Sequence, residues 1–149
     1  MNLVPPKVKD ALFKAFTPIH NELYRRTGGR LGGQAGRLPM LLLTSTGRRS
    51  GQPRTTPLGY LPDGDRMVVI ASYGGDDRHP QWYLNLQANP EASVQVGSET
   101  RRVRAATATA EEKAELWPRV VALYAGYAGY QQMTSRDIPL VILTPVSPV

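Results

Sequence analysis

Apolar residues recur at steps of three or four between Pro5 and Arg26, at Val8, Leu12, Phe16, Ile19 and Leu23, and this spacing predicts a first amphipathic helix. Lys7, Lys9, Lys14, Arg25 and Arg26 make its remaining surface basic, and Pro18 is expected to kink or split it. Such a helix either packs its stripe on the domain or rests on anionic lipid as an interfacial segment, with Asp10 and Glu22 counting against lipid. Thr27–Arg37 is a glycine-rich connector read as a mobile flap; it matches neither the G-x-G-x-x-G nor the P-loop pattern. Beyond it the period shortens. Met40–Thr44, Arg54–Leu61 and Met67–Ala71 read as three consecutive strands, Pro57 marking a local edge or bulge and Pro62-Asp63-Gly64-Asp65 a tight turn. Pro80 and Asn89-Pro90 bracket a short helix over Gln81–Ala88. Ala92–Val96 and Thr100–Ala106 form a second hairpin about Gly97-Ser98. Thr109-Ala110-Glu111-Glu112 is a capping box that opens a helix with Leu116, Val120 and Leu123 on its buried face, and Ile138–Thr144 is a last strand. The order α-β-β-β-α-β-β-α-β is dominated by hairpins. The expected fold is therefore mainly β (α+β), an antiparallel β-barrel with flanking helices.

At 149 residues the chain is expected to form one domain overall, residues 1–30 supplying the helix and flap and residues 31–149 the barrel. A content of 41% hydrophobic and 20% charged residues fits a globular fold. Cysteine is absent and the histidines are His20 and His79, so a thiolate or imidazole metal cage has almost nothing to work with, and no metal is expected. The net charge of +6 favours an anionic ligand, a membrane surface or nucleic acid. No run approaches the ~18–20 apolar residues of a spanning helix. Met1-Asn2-Leu3-Val4-Pro5-Pro6 lacks the apolar core of a signal peptide, and a soluble, cytoplasmic protein is expected.

The chain has no G-x-S-x-G, no H-E-x-x-H and no carboxylate pair distinct from surface charge, which argues against a hydrolase or metalloenzyme. Four stretches carry the remaining chemistry. Gly47-Arg48-Arg49-Ser50-Gly51-Gln52-Pro53-Arg54 packs three arginines and a serine into one glycine-bounded turn, suited to a phosphate or clustered carboxylates; the alternative is a solvated hairpin tip. Ser72-Tyr73-Gly74-Gly75, at a strand exit, allows close backbone approach to a heterocycle, or is an ordinary loop. In Gln81-Trp82-Tyr83-Leu84-Asn85, Trp82 and Asn85 share a helical face and offer a ligand an apolar wall and an amide, unless the Trp is core. Tyr124, Tyr127 and Tyr130 recur at steps of three with Gly126 and Gly129 between them, which suggests aligned phenols at a movable helix end or aromatic packing on the barrel.

Together these residues resemble the deazaflavin (coenzyme F-420)-dependent nitroreductase family of actinobacteria. The likeness rests on Leu42-Leu43-Thr44-Ser45-Thr46 running into the arginine turn, the Ala71–Gly75 exit, Trp82-Tyr83-Leu84-Asn85-Leu86 with Asn89-Pro90, and the tyrosines followed by Ile138-Pro139, and it spans about Leu31 to Pro145. It implies a split antiparallel β-barrel of the flavin-reductase/FMN-binding type that binds reduced F-420. Carried over, Arg48, Arg49, Ser50 and Arg54 hold the cofactor's phosphate, and Thr55, Thr56, Pro57, Leu58 and Gly59 continue along it. Ile70, Ala71, Ser72 and Tyr73 border the deazaflavin ring, as do Gln81, Trp82, Tyr83, Leu84, Asn85 and Tyr127. Tyr124, Tyr127 and Tyr130 border the substrate. Tyr73 stands where some members have a basic residue, and Gly59 where some have an aromatic, which implies a larger pocket.

The implied reaction is hydride transfer from reduced F-420 to a small electron-poor acceptor, a quinone, an activated C=C bond or a nitro compound, with Ser72 or one of the three tyrosines as proton or oxyanion donor. Two alternatives stay open at this stage. The barrel is a non-catalytic carrier of F-420, FMN or heme, or the basic balance serves nucleic acid. Against the latter, no aromatics interleave with the basic turn as a stacking platform requires. A monomer or homodimer is expected, with contact to anionic membrane at the inner face of the plasma membrane limited to the first helix.

Overall fold

The computed structural model describes the backbone of residues 6–29, 34–35 and 38–146, and side chains from Thr17 to Gly29 and from Leu38 to Val146. Helix α1 is Pro6–Thr27. The strands are β1 (Gln34–Ala35), β2 (Leu38–Thr46), β3 (Pro53–Asp63), β4 (Arg66–Ile70), β5 (Glu91–Val96), β6 (Glu99–Thr107) and β7 (Leu140–Pro145). A 3-10 turn (Tyr73–Gly75) and α2 (Gln81–Ala88) separate β4 from β5, and α3 (Ala110–Leu123) and α4 (Gly126–Gln132) separate β6 from β7.

The barrel closes because β5 pairs back onto β2. Its strand order is β2-β3-β4-β7-β6-β5, every neighbouring pair antiparallel, so the ring has no open end among the described residues. Strand β3 makes the corner: its first half, from Pro53 to Gly59, pairs with β2, and its second, from Tyr60 to Asp63, with β4. Pro57, opposite Leu42, lies in the half bonded to one strand only, the local edge that its missing N–H predicts.

Side chains alternate between two cores. Leu41, Leu43, Met67, Val69, Val94, Val103, Val141 and Leu143 fill the barrel interior, plugged at one end by Trp82, Tyr83 and Leu86 of α2. Their neighbours Leu38, Val68, Ile70, Leu140 and Ile142 face outward and are covered by Leu116 and Val120 of α3 and Tyr127 of α4. Thr109 caps α3 as expected: its Oγ1 accepts from Glu112 N–H (3.1 Å) while Glu112 Oε1 accepts from Thr109 N–H (2.9 Å).

Three expectations change. Helix α1 runs through Pro18 without splitting. The two described residues of its apolar stripe do not seat it: Ile19 is 58% and Leu23 45% exposed, while Asn21 and Tyr24 are buried. Tyr24 Oη donates to Met40 O (3.0 Å) and accepts from Gly97 N–H (2.8 Å), and Asn21 Nδ2 donates to Thr55 O (3.1 Å). The helix lies over the first half of β3, which is bonded to β2 alone and whose Thr55 carbonyl takes a polar partner from Asn21, so a polar face docks there. Val8, Leu12 and Phe16 lie outside the described side chains, as do most residues of the glycine-rich connector; its Gln34 and Ala35 form β1 against Leu38 and Pro39. Third, the tyrosines do not share one helix. Tyr124 is extended (φ −150°, ψ 105°) and ends α3, and α4 begins anew at Gly126.

Candidate functional site

The arginine turn is closed by Gly47 N–H donating to Gln52 O and Gly51 N–H donating to Gly47 O, both at 2.8 Å. Gly51 has φ +70°, a conformation open to glycine at no steric cost. Ser50 Oγ accepts from Gln52 N–H (3.1 Å) and Arg54 Nη2 (3.4 Å). Arg48 is not a free anion ligand. Its N–H (3.1 Å) and Nη1 (2.9 Å) both donate to Asn85 Oδ1, and its Nη2 donates to Gln81 Oε1 (2.9 Å). It braces the turn on α2 and satisfies the carbonyl of Asn85, a residue only 5% exposed. Arg49 and Arg54 are exposed, and none of the three arginines forms an ion pair among the described residues.

From Arg54 to Gly59 the chain advances five residues along β3, about 16 Å at the usual strand rise. Alternation divides the expected cofactor positions. Thr55, Pro57 and Gly59 face outward like Leu61, whereas Thr56 and Leu58 face inward, Leu58 packing on the interior core. Thr55 Oγ1 bonds Thr44 Oγ1 (2.9 Å) and accepts from Arg25 Nη2 (2.9 Å), which brings a fourth arginine, from α1, to this strand.

Gly59 does not open the pocket. A Cβ there would stand 2.3 Å from Leu38 Cδ2 and 3.1 Å from Tyr127 Oη. The buried Leu38 side chain occupies the space an aromatic would take, and Tyr127 reaches over it. Tyr127 is 7% exposed, and burial, then Tyr130 and Tyr124, push its phenol up to about 12. Its hydroxyl has no hydrogen-bond partner among the described residues, whereas Tyr124 Oη and Tyr130 Oη bond each other at 3.4 Å. That bond, then burial, raises Tyr130 to about 12 as well. The three rings still cluster, with centroids 5.1–6.3 Å apart. Gly126 permits this, since a Cβ there would come within 2.5 Å of the Tyr124 ring.

After β4, Ile70 joins the outer layer beside Tyr127, and Ala71 is fully buried in the interior core. Tyr73 (φ +46°), Gly74 (+62°) and Gly75 (+83°) follow as three successive left-handed residues; for Tyr73 this costs about 1–2 kcal/mol. Gly75 N–H donates to Ser72 O (3.0 Å) and Asp76 N–H to Tyr73 O (3.2 Å). Ser72 is only 7% exposed, yet neither its N–H nor its Oγ has a partner among the described residues.

Arg136, which no sequence pattern singles out, holds this loop. Its Nη1 donates to Ala71 O (3.0 Å), its Nη2 to Ser72 O (2.7 Å) and its Nε to Asp76 O (2.9 Å). Its Nη1 also lies 3.3 Å from His79 Nδ1. Burial, then Arg136, lowers the His79 pKa, and burial lowers that of Arg136. The available signal was a lone arginine in Thr134-Ser135-Arg136-Asp137, a polar turn entering a buried strand.

The remaining α2 positions divide. Gln81 and Asn85 meet Arg48, Leu84 is half-buried, and Trp82 is core at 6% exposure. Tyr83 turns the other way: its hydroxyl bonds Thr107 Oγ1 (3.2 Å) and accepts from Gln87 Nε2 (3.1 Å). It lines a cavity of about 200 Å³ with Leu86, Gln87 and Val141, which contains neither the arginine turn nor the clustered tyrosines. The arginine turn contacts α2 through Gln81 and Asn85. Separately, the Ser72 loop contacts His79 through Arg136 and α4 through Gly75 against Met133, and Tyr127 of α4 reaches Gly59.

A family described as F-420H(2)-dependent quinone reductase matches residues 17–145. The chain is 45% identical over 130 residues to an F-420H(2)-dependent quinone reductase of Mycobacterium tuberculosis, covering 85% of this chain and 87% of the relative. Among solved structures it resembles an F-420-H2 dependent reductase at 40% identity, with a TM-score of 0.66 over 70% of this chain and 93% of the other. A structure described as a domain-swapped dimer is 34% identical, with a TM-score of 0.68 over 85% and 94% of the two chains. The barrel is thus the split β-barrel of the flavin-reductase type. With the match running from the buried face of α1 to the end of β7, this chain belongs to the F-420H(2)-dependent quinone reductase family and is an F-420H(2)-dependent oxidoreductase.

Proposed function

We propose that reduced F-420 is held along β3 between the arginine turn and the clustered tyrosines and that a quinone-type acceptor is reduced at the tyrosine end. The observation that carries this reading is the separation of two donor sets: Arg49 and Arg54, exposed and without an ion pair among the described residues, at one end of the strand half, and the Tyr127 hydroxyl, without a hydrogen-bond partner among those residues, at the other. The donor chemistry fits the group. Two guanidinium forks without carboxylate partners among the described residues suit a phosphate, and a buried loop whose Ser72 N–H and hydroxyl have no partner among those residues suits the polar edge of a heterocycle.

When bound, reduced F-420 supplies the hydride. Arg49 and Arg54 anchor its anionic tail, Arg48 fixes the turn that presents them, and Arg25 adds positive charge beside Thr55. Ser72 orients the ring. Tyr127 keeps its proton across the physiological range because its pKa is raised to about 12, and it donates a hydrogen bond or that proton to the acceptor oxygen as negative charge develops there. Tyr124 and Tyr130 wall the acceptor side and exclude water.

The test is fluorescence titration with F-420 beside FMN and NADPH, followed by steady-state oxidation of reduced F-420 with menadione. Preference for F-420 together with turnover supports the reading. Binding without turnover favours the carrier alternative, and preference for FMN or absence of binding overturns it. The same reading assigns α1 a peripheral contact with anionic lipid, motivated by exposed Ile19 and Leu23 near Arg25 and Arg26. Cosedimentation with anionic but not neutral vesicles is expected, and equal recovery with both removes the charge-directed contact.

A further inference from the structure

We propose that Arg136 is a positioning residue of the cofactor site, orienting and polarising the Ser72 N–H toward the bound ring; this rests on the reading that the Ser72 loop borders that ring. Three features of the loop lead there. The guanidinium takes carbonyls from both ends of it, Ala71 and Ser72 before the left-handed turn and Asp76 after it, at 2.7–3.0 Å. In a planar trans peptide the C=O and the following N–H point in opposite directions. The Ala71 carbonyl is drawn onto Arg136, so the Ser72 N–H must point away from it, and no described residue accepts from that N–H.

The charge adds a second effect. A cation on a peptide oxygen withdraws electron density and makes the same peptide's N–H a stronger donor, the more so away from water. Arg136 is sufficiently buried for its pKa to fall, and it faces neutral His79 rather than a carboxylate in direct contact. Finally, the loop is strained at Tyr73, and a backbone in a sparsely populated conformation persists where its surroundings over-determine it. Arg136 supplies three of those constraints, and its carbonyl accepts from Gln131 Nε2 of α4 (2.7 Å), so it couples the loop to the helix that carries Tyr127 and Tyr130.

The experiment compares wild type, Arg136→Lys and Arg136→Met by 15N-resolved NMR titration with F-420, by turnover of reduced F-420 with menadione, and by thermal melting. In wild type the Ser72 amide is expected to shift on F-420 addition together with the Gly51 amide of the arginine turn. In Arg136→Met the Ser72 response is lost while the Gly51 response remains, and kcat falls about 10–100-fold; Arg136→Lys lies between. A purely structural staple would lower the melting temperature but leave the Ser72 response and kcat of the folded variant at wild-type values, which overturns the proposal. If Arg136→Met does not fold, Arg136→Lys decides alone, because one ammonium cannot span three carbonyls. A wild-type Ser72 amide that ignores F-420 while Gly51 responds removes the ring from this loop. That refutes the underlying reading, a result distinct from wild-type behaviour in the variants.

Discussion

Replacing Gly59 with alanine tests how the space beside it is filled. If Gly59 left open space, Gly59→Ala would stabilise the protein by about 0.5–1 kcal/mol, because glycine in a strand interior carries an entropic cost relative to alanine. The structure predicts the opposite sign. The added methyl would stand 2.3 Å from Leu38 Cδ2 and 2.8 Å from Leu38 Cγ, so the buried Leu38 side chain must leave its place and the Tyr127 hydroxyl must move with it. Overpacking of this kind costs about 1–3 kcal/mol, which offsets or outweighs the backbone gain and leaves a net loss of up to about 2.5 kcal/mol. Urea unfolding of four proteins measures it: wild type, Gly59→Ala, Leu38→Ala and the double variant. Leu38→Ala alone should cost about 2–5 kcal/mol as a buried truncation. On that background the Gly59→Ala step should become neutral or stabilising, a coupling of about 1–3 kcal/mol between the two positions. Additive effects, or a stabilised Gly59→Ala single variant, would refute the claim that Leu38 fills the site. Because the same methyl displaces Tyr127, Gly59→Ala should also lower turnover, and Leu38→Ala should restore part of it.

Removing the Arg48 fork should loosen α2 from the arginine turn. Arg48→Met is expected to cost about 1.5–3 kcal/mol, Asn85→Ala a similar amount, and the pair much less than the sum; strict additivity in denaturant unfolding would sink the brace. Arg49→Ala with Arg54→Ala should weaken F-420 binding while leaving unfolding midpoints within ~0.5 kcal/mol of wild type, since both side chains are exposed. Tyr127 has a folded pKa near 12 against an ordinary 10.0, so its contribution is complete below pH 10 and is lost as pH rises toward 12. That part amounts to roughly 3 kcal/mol over two pH units, so the alkaline fall should be shallower in Tyr127→Phe, which keeps the part carried by Tyr130; superimposable alkaline stability curves would contradict the burial argument. Thr109→Ala removes the α3 cap at about 1 kcal/mol without changing turnover, and a change in kcat would show that α3 is not a passive cover.

The local chemistry of the chain settled much of the architecture. Period-two runs, Pro57 at a singly bonded edge, the Gly97-Ser98 turn and the Thr109–Glu112 capping box each depend on neighbours in sequence, and each is where the pattern placed it. The arginine turn and the 3-10 loop were legible for the same reason. Glycine spacing and clustered guanidinium groups are local signals.

What the sequence could not show are partnerships between distant residues. The stripe of Ile19 and Leu23 has the stronger helical periodicity, yet α1 docks through Asn21 and Tyr24, because only the assembled sheet reveals the half of β3 bonded to β2 alone, whose Thr55 carbonyl takes Asn21. Arg48 reads as an anion ligand, and only the fold shows that it also braces the turn, its N–H and Nη1 donating to Asn85, 37 positions away. Gly59 reads as a vacancy until Leu38 folds over it from β2. Arg136 has no local pattern at all, since the carbonyls it binds lie 60 to 65 residues earlier. Composition and spacing determined a basic barrel with an arginine turn and a run of three tyrosines. Tertiary packing alone decided which arginine braces the fold, which tyrosine hydroxyls bond each other and what holds the Ser72 loop, because burial and hydrogen-bond satisfaction are properties of neighbours in space.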